Sequence, residues 1–273
     1  MLLRAGVTAT LPLSAMAAPK PEPWPRWQAQ DPASARRIDH GAWDGFLKRH
    51  VVAGDDGIHR LAYARVAGAD KAALDAYLSM LAGTAVGALA RDEQRAFWIN
   101  LYNALTVQVV LGAYPVRSIR DIRISPGLFA AGPWGKKLVT IEGERLSLDD
   151  IEHRILRPIW NDPRTHYAVN CASIGCPNLP RDAFTAATME VMLDSGARAY
   201  VNHPRGASLR DGRLTTSSIY AWFKEDFGGT DATVIAHLRR FAAPSLARAL
   251  GGVDRIAGDA YDWALNDAGS PGG

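Results

Sequence analysis

Residues 92–111 constrain this chain more than any other stretch. They read as one long helix that is apolar on nearly every face, and such a helix has no side to give to water. It has to lie inside a core, with the other elements packed around it. Gly112 and Pro115 supply the stop. The material for that core is ample: of 273 residues 48% are hydrophobic, with 8 Trp. This suits one large domain or two small ones.

Charge excludes several classes of partner. Lys+Arg number 31 and Asp+Glu 28, for a net charge of +3. No run of like charges forms a basic tail or patch, so nucleic acid is not an expected partner. No stretch approaches the roughly 20 uninterrupted apolar residues of an integral membrane segment. A small-molecule or peptide substrate is the remaining class; the oligomeric state is not readable. The N-terminus has Arg4, an apolar stretch over 5–13 broken by Pro12, and Ala15 and Ala17 as an A-x-A cleavage site. A signal peptide over 1–17 and a periplasmic or secreted protein are therefore expected. No Cys follows that site, which speaks against a lipoprotein anchor.

Prolines crowd 18–35, which reads as an extended linker. A single domain is expected over 36–266, with a disordered tail over 267–273. Helical patterns cover 38–51, 72–81, 184–201, 217–227 and 233–241; 58–66 and 165–170 read as strands, as do 255–256 and 261–265. Glu142-Gly143 and Asp211-Gly212 mark hairpin turns. Ser147 followed by Asp149 and Asp150 reads as a helix start, with Pro158 as its end. Helices outnumber strands without regular alternation, so the fold class is α+β, a helix-rich single domain around a small antiparallel sheet.

Three constellations carry polar chemistry. Asn100 and Asn103 share one face of the long helix, where a buried amide needs partners or costs about 1–3 kcal/mol. They either tie the helix to nearby loops or orient a catalytic group. Glu152 falls in the middle of the apolar arc formed by Leu148, Ile151, Ile155 and Ile159, with His153 at its edge. A carboxylate placed so is either paired with Arg or poised for proton transfer. In the strand read over 165–170, alternation puts His166 and Asn170 on one face and Cys171 on the other. Cys171 then opens a Ser/Gly-rich turn whose N–H groups are candidate donors to a thiolate or oxyanion. With only Cys171 and Cys176, a disulfide framework and a four-thiolate zinc site are both excluded.

The segments Arg95-Ala-Phe-Trp-Ile-Asn-Leu-Tyr-Asn-Ala-Leu105, Ile151-Glu-His-Arg-Ile-Leu-Arg157 and His166-Tyr-Ala-Val-Asn-Cys171 together resemble the domain-of-unknown-function family numbered 547. Ser218-Ile-Tyr-Ala-Trp-Phe-Lys-Glu-Asp-Phe227 and Tyr261-Asp-Trp-Ala-Leu-Asn266 extend the likeness over roughly 36–266. The resemblance implies a bacterial protein often found behind an export signal, and it implies no particular activity. It puts Asn100, Asn103, Glu152, His153, Arg157, His166, Asn170 and Cys171 at motif positions. Plant-like members carry Ser at the second cysteine position, which makes Cys171 the better candidate for chemistry.

The functional expectation is a thiol-dependent hydrolase or acyltransferase acting on an amide or ester. In it Cys171 attacks, His153 is the base, and Glu152, Asn100 or Asn103 orients the imidazole, with His166 a further catalytic candidate. A polar-lined core helix on a small sheet has a loose likeness to papain- and transglutaminase-like folds. Their usual order places the nucleophile before the base, whereas His153 and His166 both precede Cys171. The alternatives are a non-catalytic envelope binding domain, a zinc site built from Glu152, His153, His166, Cys171 and Cys176, and a redox role for the cysteine pair. Ligand spacings such as H-E-x-x-H or C-x-x-C are not present, so no metal and no cofactor is expected.

Overall fold

The structure, a computed structural model, describes residues 19–127 and 130–269; the expected signal peptide lies outside them. The long helix is present as α3 (Arg91–Ala113), and every residue from Glu93 to Val107 is buried. It has the length and composition to cross a membrane, yet 78% of its most apolar window is buried inside the protein. Around it pack α1 (Gly41–His50), α2 (Gly68–Ala82), the hairpin β1 (Val51–Ala53)–β2 (His59–Leu61) and the hairpin β3 (Val139–Ile141)–β4 (Glu144–Leu146).

A second, smaller core joins α5 (Met189–Val201), α6 (Ser218–Trp222), α7 (Asp231–Phe241) and α8 (Pro244–Ala249) to a sheet of β5 (Ala207–Arg210), β6 (Arg213–Ser217) and β7 (Ile256–Ala260). The Asp211-Gly212 turn takes positive φ at both residues, 50° and 71°, as a two-residue hairpin turn requires. The fold is α+β and helix-rich with small sheets. One pairing departs from an all-antiparallel sheet: β7 returns from the C-terminal side and lies parallel to β6.

Two local expectations need correction. The stretch read as a strand over 165–170 begins as a 3₁₀ turn, Pro163–Tyr167, because Asp162 caps the Arg164 N–H and Pro163 fixes the first helical φ. That local chemistry outweighs the β-favouring side chains. Pro158 also does not end its helix. Asp150–Leu156 is a π-helix, with the Arg157 N–H bonded to the Glu152 carbonyl, and it runs on into α4 (Arg157–Trp160). It starts as its sequence predicts: Ser147 Oγ accepts from the Asp150 N–H while Asp150 Oδ2 accepts from the Ser147 N–H.

The proline-rich stretch is extended but docked, with Trp27 buried edge-on against Trp98 at 5.0 Å. At the other end, the Ala268 N–H donates to the Leu61 carbonyl and the Leu61 N–H to that of Asn266.

Buried imidazoles make stability pH-dependent. Burial lowers His40 to about 4; His237 is also lowered to about 4, by burial and then by Arg240. The unfolded chain, with values near 6.5, therefore takes up these protons first. The two histidines contribute fully above pH 6.5, and the contribution is lost as pH falls toward 4. The urea midpoint is expected to drop across that window, and to drop less in His40→Asn. A midpoint flat between pH 7 and pH 4.5 would refute this.

Candidate active site

The loop that carries Cys171 is held from two directions and braced from within. From α3, the Asn103 side chain donates to the Ala168 carbonyl at 2.9 Å and accepts the Asn170 N–H at 2.8 Å. Asn170 in turn accepts the Ala172 N–H at 2.9 Å and donates to the Pro177 carbonyl at 2.7 Å, and Ala172 sits at φ 58°. From the C-terminal segment, the Ile174 and Gly175 N–H groups bond to the carbonyls of Ala264 and Asp262, each at 2.8 Å. A Cβ on Gly175 would lie 2.8 Å from the Asp262 nitrogen, so only glycine allows that approach.

This docking delivers Tyr261 to the sulfur. Cys171 Sγ is 3.0 Å from the Tyr261 hydroxyl and 3.1 Å from Ser173 Oγ, and the two hydroxyls are 2.9 Å apart. The Cys171 N–H donates to Cys176 Sγ at 3.0 Å. Both cysteines are free; Cys171 is half-buried and Cys176 buried. Hydrogen bonds from Cys176, Ser173 and Tyr261 lower the Cys171 thiol, against the opposing effects of burial and of the Glu152 charge. Burial, and then the neighbouring Cys171, raise Cys176 well above an ordinary thiol. The pair is thus split into one sulfur poised to ionise and one held protonated.

The imidazoles belong to a second, adjoining network. His166 Nε2 is 2.7 Å from Asp226 Oδ2, and Arg157 clamps the same carboxylate through Nε at 2.6 Å and Nη2 at 3.0 Å. Arg157 Nη1 donates to His153 Nδ1 at 3.0 Å. A guanidinium has no acceptor, so Nδ1 of His153 carries the lone pair and Nε2 the proton. That Nε2 is 3.7 Å from Asp149 Oδ1. Phe223 covers the group, stacked on His166 at 4.2 Å and beneath the Arg157 guanidinium at 4.7 Å. Burial lowers His153, as do Arg157 and His166.

Glu152 lies beside both imidazoles. Its Oε1 is 3.8 Å from His166 Nδ1 and 4.0 Å from His153 Nδ1, and it has no hydrogen-bond donor among the described residues. Its charge opposes ionisation of Cys171 and, after burial, helps keep the Tyr102 phenol protonated. Burial, then Glu152 and Asp150, push the half-exposed Asp149 carboxyl up to about 6. The Glu152 charge therefore acts on the thiol, and the Asp149 carboxyl beside His153 is able to trade a proton near neutral pH.

Of the six side chains singled out in the sequence, Glu152, His153 and His166 come together. Cys171 feels the Glu152 charge but has no hydrogen bond to Glu152 or to either imidazole. The thiol–imidazole contact is not made: Arg157 holds His153 Nδ1, Asp226 holds His166 Nε2, and the sulfur is turned to Ser173 and Tyr261. The face argument for His166 fails with the strand it assumed. Asn100 binds the Phe184 backbone at 2.7 and 3.1 Å, so both helix amides act as clamps on loops. The turn after Cys171 also differs from expectation. The N–H groups of Cys171, Ala172, Ile174, Gly175 and Cys176 already have protein acceptors. The remaining candidate oxyanion donors are the Ser173 N–H and the hydroxyls of Ser173 and Tyr261. Sequence reasoning missed both as functional groups, although Ser173 lies in the turn and Tyr261 opens a recognised motif.

No cluster of three or more His, Cys, Asp or Glu side chains suited to a metal occurs among the described residues. A shallow cavity of about 350 Å³, lined in part by Gly175, Arg205, Thr216 and Tyr261, borders the thiol loop.

Residues 86–201 match the family described as "Protein of unknown function, DUF547". The chain carries a DUF547 domain. No curated protein and no solved structure matches the chain. The DUF547 segment contains Asn100, Asn103, Glu152, His153, His166, Cys171 and Cys176. Tyr261 and Asp226 come from beyond it, so the site is completed by chain that the DUF547 match does not reach.

Proposed function

We propose that Cys171 is a covalent nucleophile and that this DUF547 protein is an exported, thiol-dependent acyl-transfer enzyme acting on an amide or ester. The observation that carries the reading is a half-buried sulfur held by two hydroxyls, with its acidity enhanced by the neighbouring Cys176 and by both of them. The thiolate attacks the carbonyl carbon, and the electron pair moves to the carbonyl oxygen. The Ser173 and Tyr261 hydroxyls stabilise that oxyanion, with the unengaged Ser173 N–H beside them. Collapse expels the amine or alcohol, which takes the proton that Cys171 gave up, relayed through the same hydroxyls, and leaves a thioester on Cys171. Water then attacks the thioester, giving its proton to Asp149 or Glu152, and the free thiol returns. No imidazole is required at the sulfur, because its neighbours already favour the ionised form.

Intact-protein mass spectrometry with p-nitrophenyl acetate tests this. An acetyl adduct on Cys171 that forms and then decays is expected, and Cys171→Ala should form none. Absence of the adduct at pH 8 would leave an envelope binding domain as the better reading. Export is tested by cell fractionation of the full-length chain.

A dithiol redox role has one observation of its own, the Cys176 sulfur at the Cys171 amide. Under that reading mild peroxide converts the pair to a disulfide, with loss of two hydrogens, about 2 Da, and formation of water. The same instrument separates a gain of an acetyl group from that loss.

A further inference from the structure

We infer that the segment Pro19–Trp27 is a positioning element for the candidate site, serving as the hydrogen-bond partner that Pro158 removes from the π-helix. The inference does not depend on the reaction proposed for Cys171.

Pro158 has no N–H. In an α-helix its nitrogen would serve the Arg154 carbonyl; in the π register shown by the Arg157-to-Glu152 bond it would serve that of His153. Both carbonyls instead accept from outside the helix: the Glu22 N–H reaches His153 O at 3.0 Å, and the Trp24 N–H reaches Arg154 O at 3.1 Å. Buried or half-buried carbonyls need such partners, and Pro158 cannot be one.

The strap has the sequence Pro19-Lys-Pro-Glu-Pro-Trp-Pro25. Prolines at every second position hold φ near that of an extended chain and bias the residues between them toward extended backbone. Alternate residues of an extended chain present their N–H groups to the same side, so Glu22 and Trp24 address two successive carbonyls. The prolines also leave few competing donors and a stiff chain that loses little freedom on docking. Side chains fasten both ends. Arg154 lies over the Trp24 ring at 4.3 Å, and buried Trp27 packs on Trp98 of α3.

The strap also reaches the site electrostatically. Arg157 Nη1 donates to the Pro19 carbonyl at 2.7 Å and, from the same nitrogen, to His153 Nδ1 at 3.0 Å. The π-turn sets where Glu152 and His153 stand, and the strap both completes that turn and shares the guanidinium that fixes the His153 tautomer. None of these strap residues lies within the matched segment 86–201.

Glu22 is exposed, so Glu22→Pro removes one N–H with little other loss, and Glu22→Ala keeps it. By NMR on the full chain, Glu22→Pro is expected to speed exchange of the Trp24 amide about tenfold or more. It should also shift the His153 imidazole nitrogen resonances, while Glu22→Ala matches wild type in both. Glu22→Pro and Glu22→Ala behaving alike would overturn the inference. Should Glu22→Pro fail to fold, Pro158→Ala carries the test, since its new N–H competes for the same carbonyls. Faster Trp24 exchange is then expected, and unchanged exchange would overturn the inference.

Discussion

Iodoacetamide is expected to label Cys171 at least about tenfold faster than Cys176 near neutral pH, since only the thiolate reacts and only Cys171 has its acidity enhanced. The rate should rise with pH and reach half its plateau below the ordinary thiol range. Tyr261→Phe removes one of the donors. A loss of about one pKa unit would cut the thiolate fraction about tenfold below the titration midpoint, while the more basic thiolate gains back about threefold in nucleophilicity, for a net slowing of about threefold. Ser173→Ala should act in the same direction. His153→Ala, by contrast, removes no contact to the sulfur and should leave labelling close to wild type. Cys171→Ala should lower acyl transfer by on the order of a thousandfold or more. Equal labelling of the two cysteines, or a strong effect of His153→Ala with none of Tyr261→Phe, would sink this account of the thiol.

The second large effect is on stability. Arg157 is buried and divides its donors among Asp226, His153 and Pro19. Its replacement by Met fills similar space but leaves the Asp226 carboxylate, now well below the usual carboxylate range, with His166 alone. Removing one partner of a buried ion pair costs about 3–5 kcal/mol, most of it the cost of the stranded charge. Arg157→Met should lower the urea midpoint accordingly. The double variant Arg157→Met with Asp226→Leu should recover part of the loss, since no buried charge is then left. Additive losses in the double variant would show that the pair does not act as one unit. The pH sign follows from Asp226: its folded value lies below its unfolded value, so the pair contributes fully above about pH 4 and is lost as pH falls further.

Much of the scaffold was legible before any coordinates. α3, the two marked hairpin turns and the Ser147 helix start each depend on local chemistry: an all-round apolar period, a Gly at positive φ, a hydroxyl beside a free N–H. The errors were local too. At 163–167 the aspartate–proline start competed with β-favouring residues and won. At Pro158 the proline removed a donor, and the chain answered with a π register and an outside partner instead of a stop.

The candidate site was legible as a set of residues and illegible as an arrangement. Glu152, His153, His166 and Cys171 were all nominated, and nothing in their spacing revealed that Arg157 and Asp226 would claim the imidazoles. Tyr261 at the sulfur depends on a contact across 90 positions, which no periodicity reports, while Ser173 comes from the same turn. Sequence alone determined which side chains are too polar to be buried without partners, because burial follows from hydrophobic period and the need for partners follows from desolvation. Tertiary structure alone decided who those partners are, because hydrogen bonds act over about 3 Å and only the folded chain brings distant residues that close.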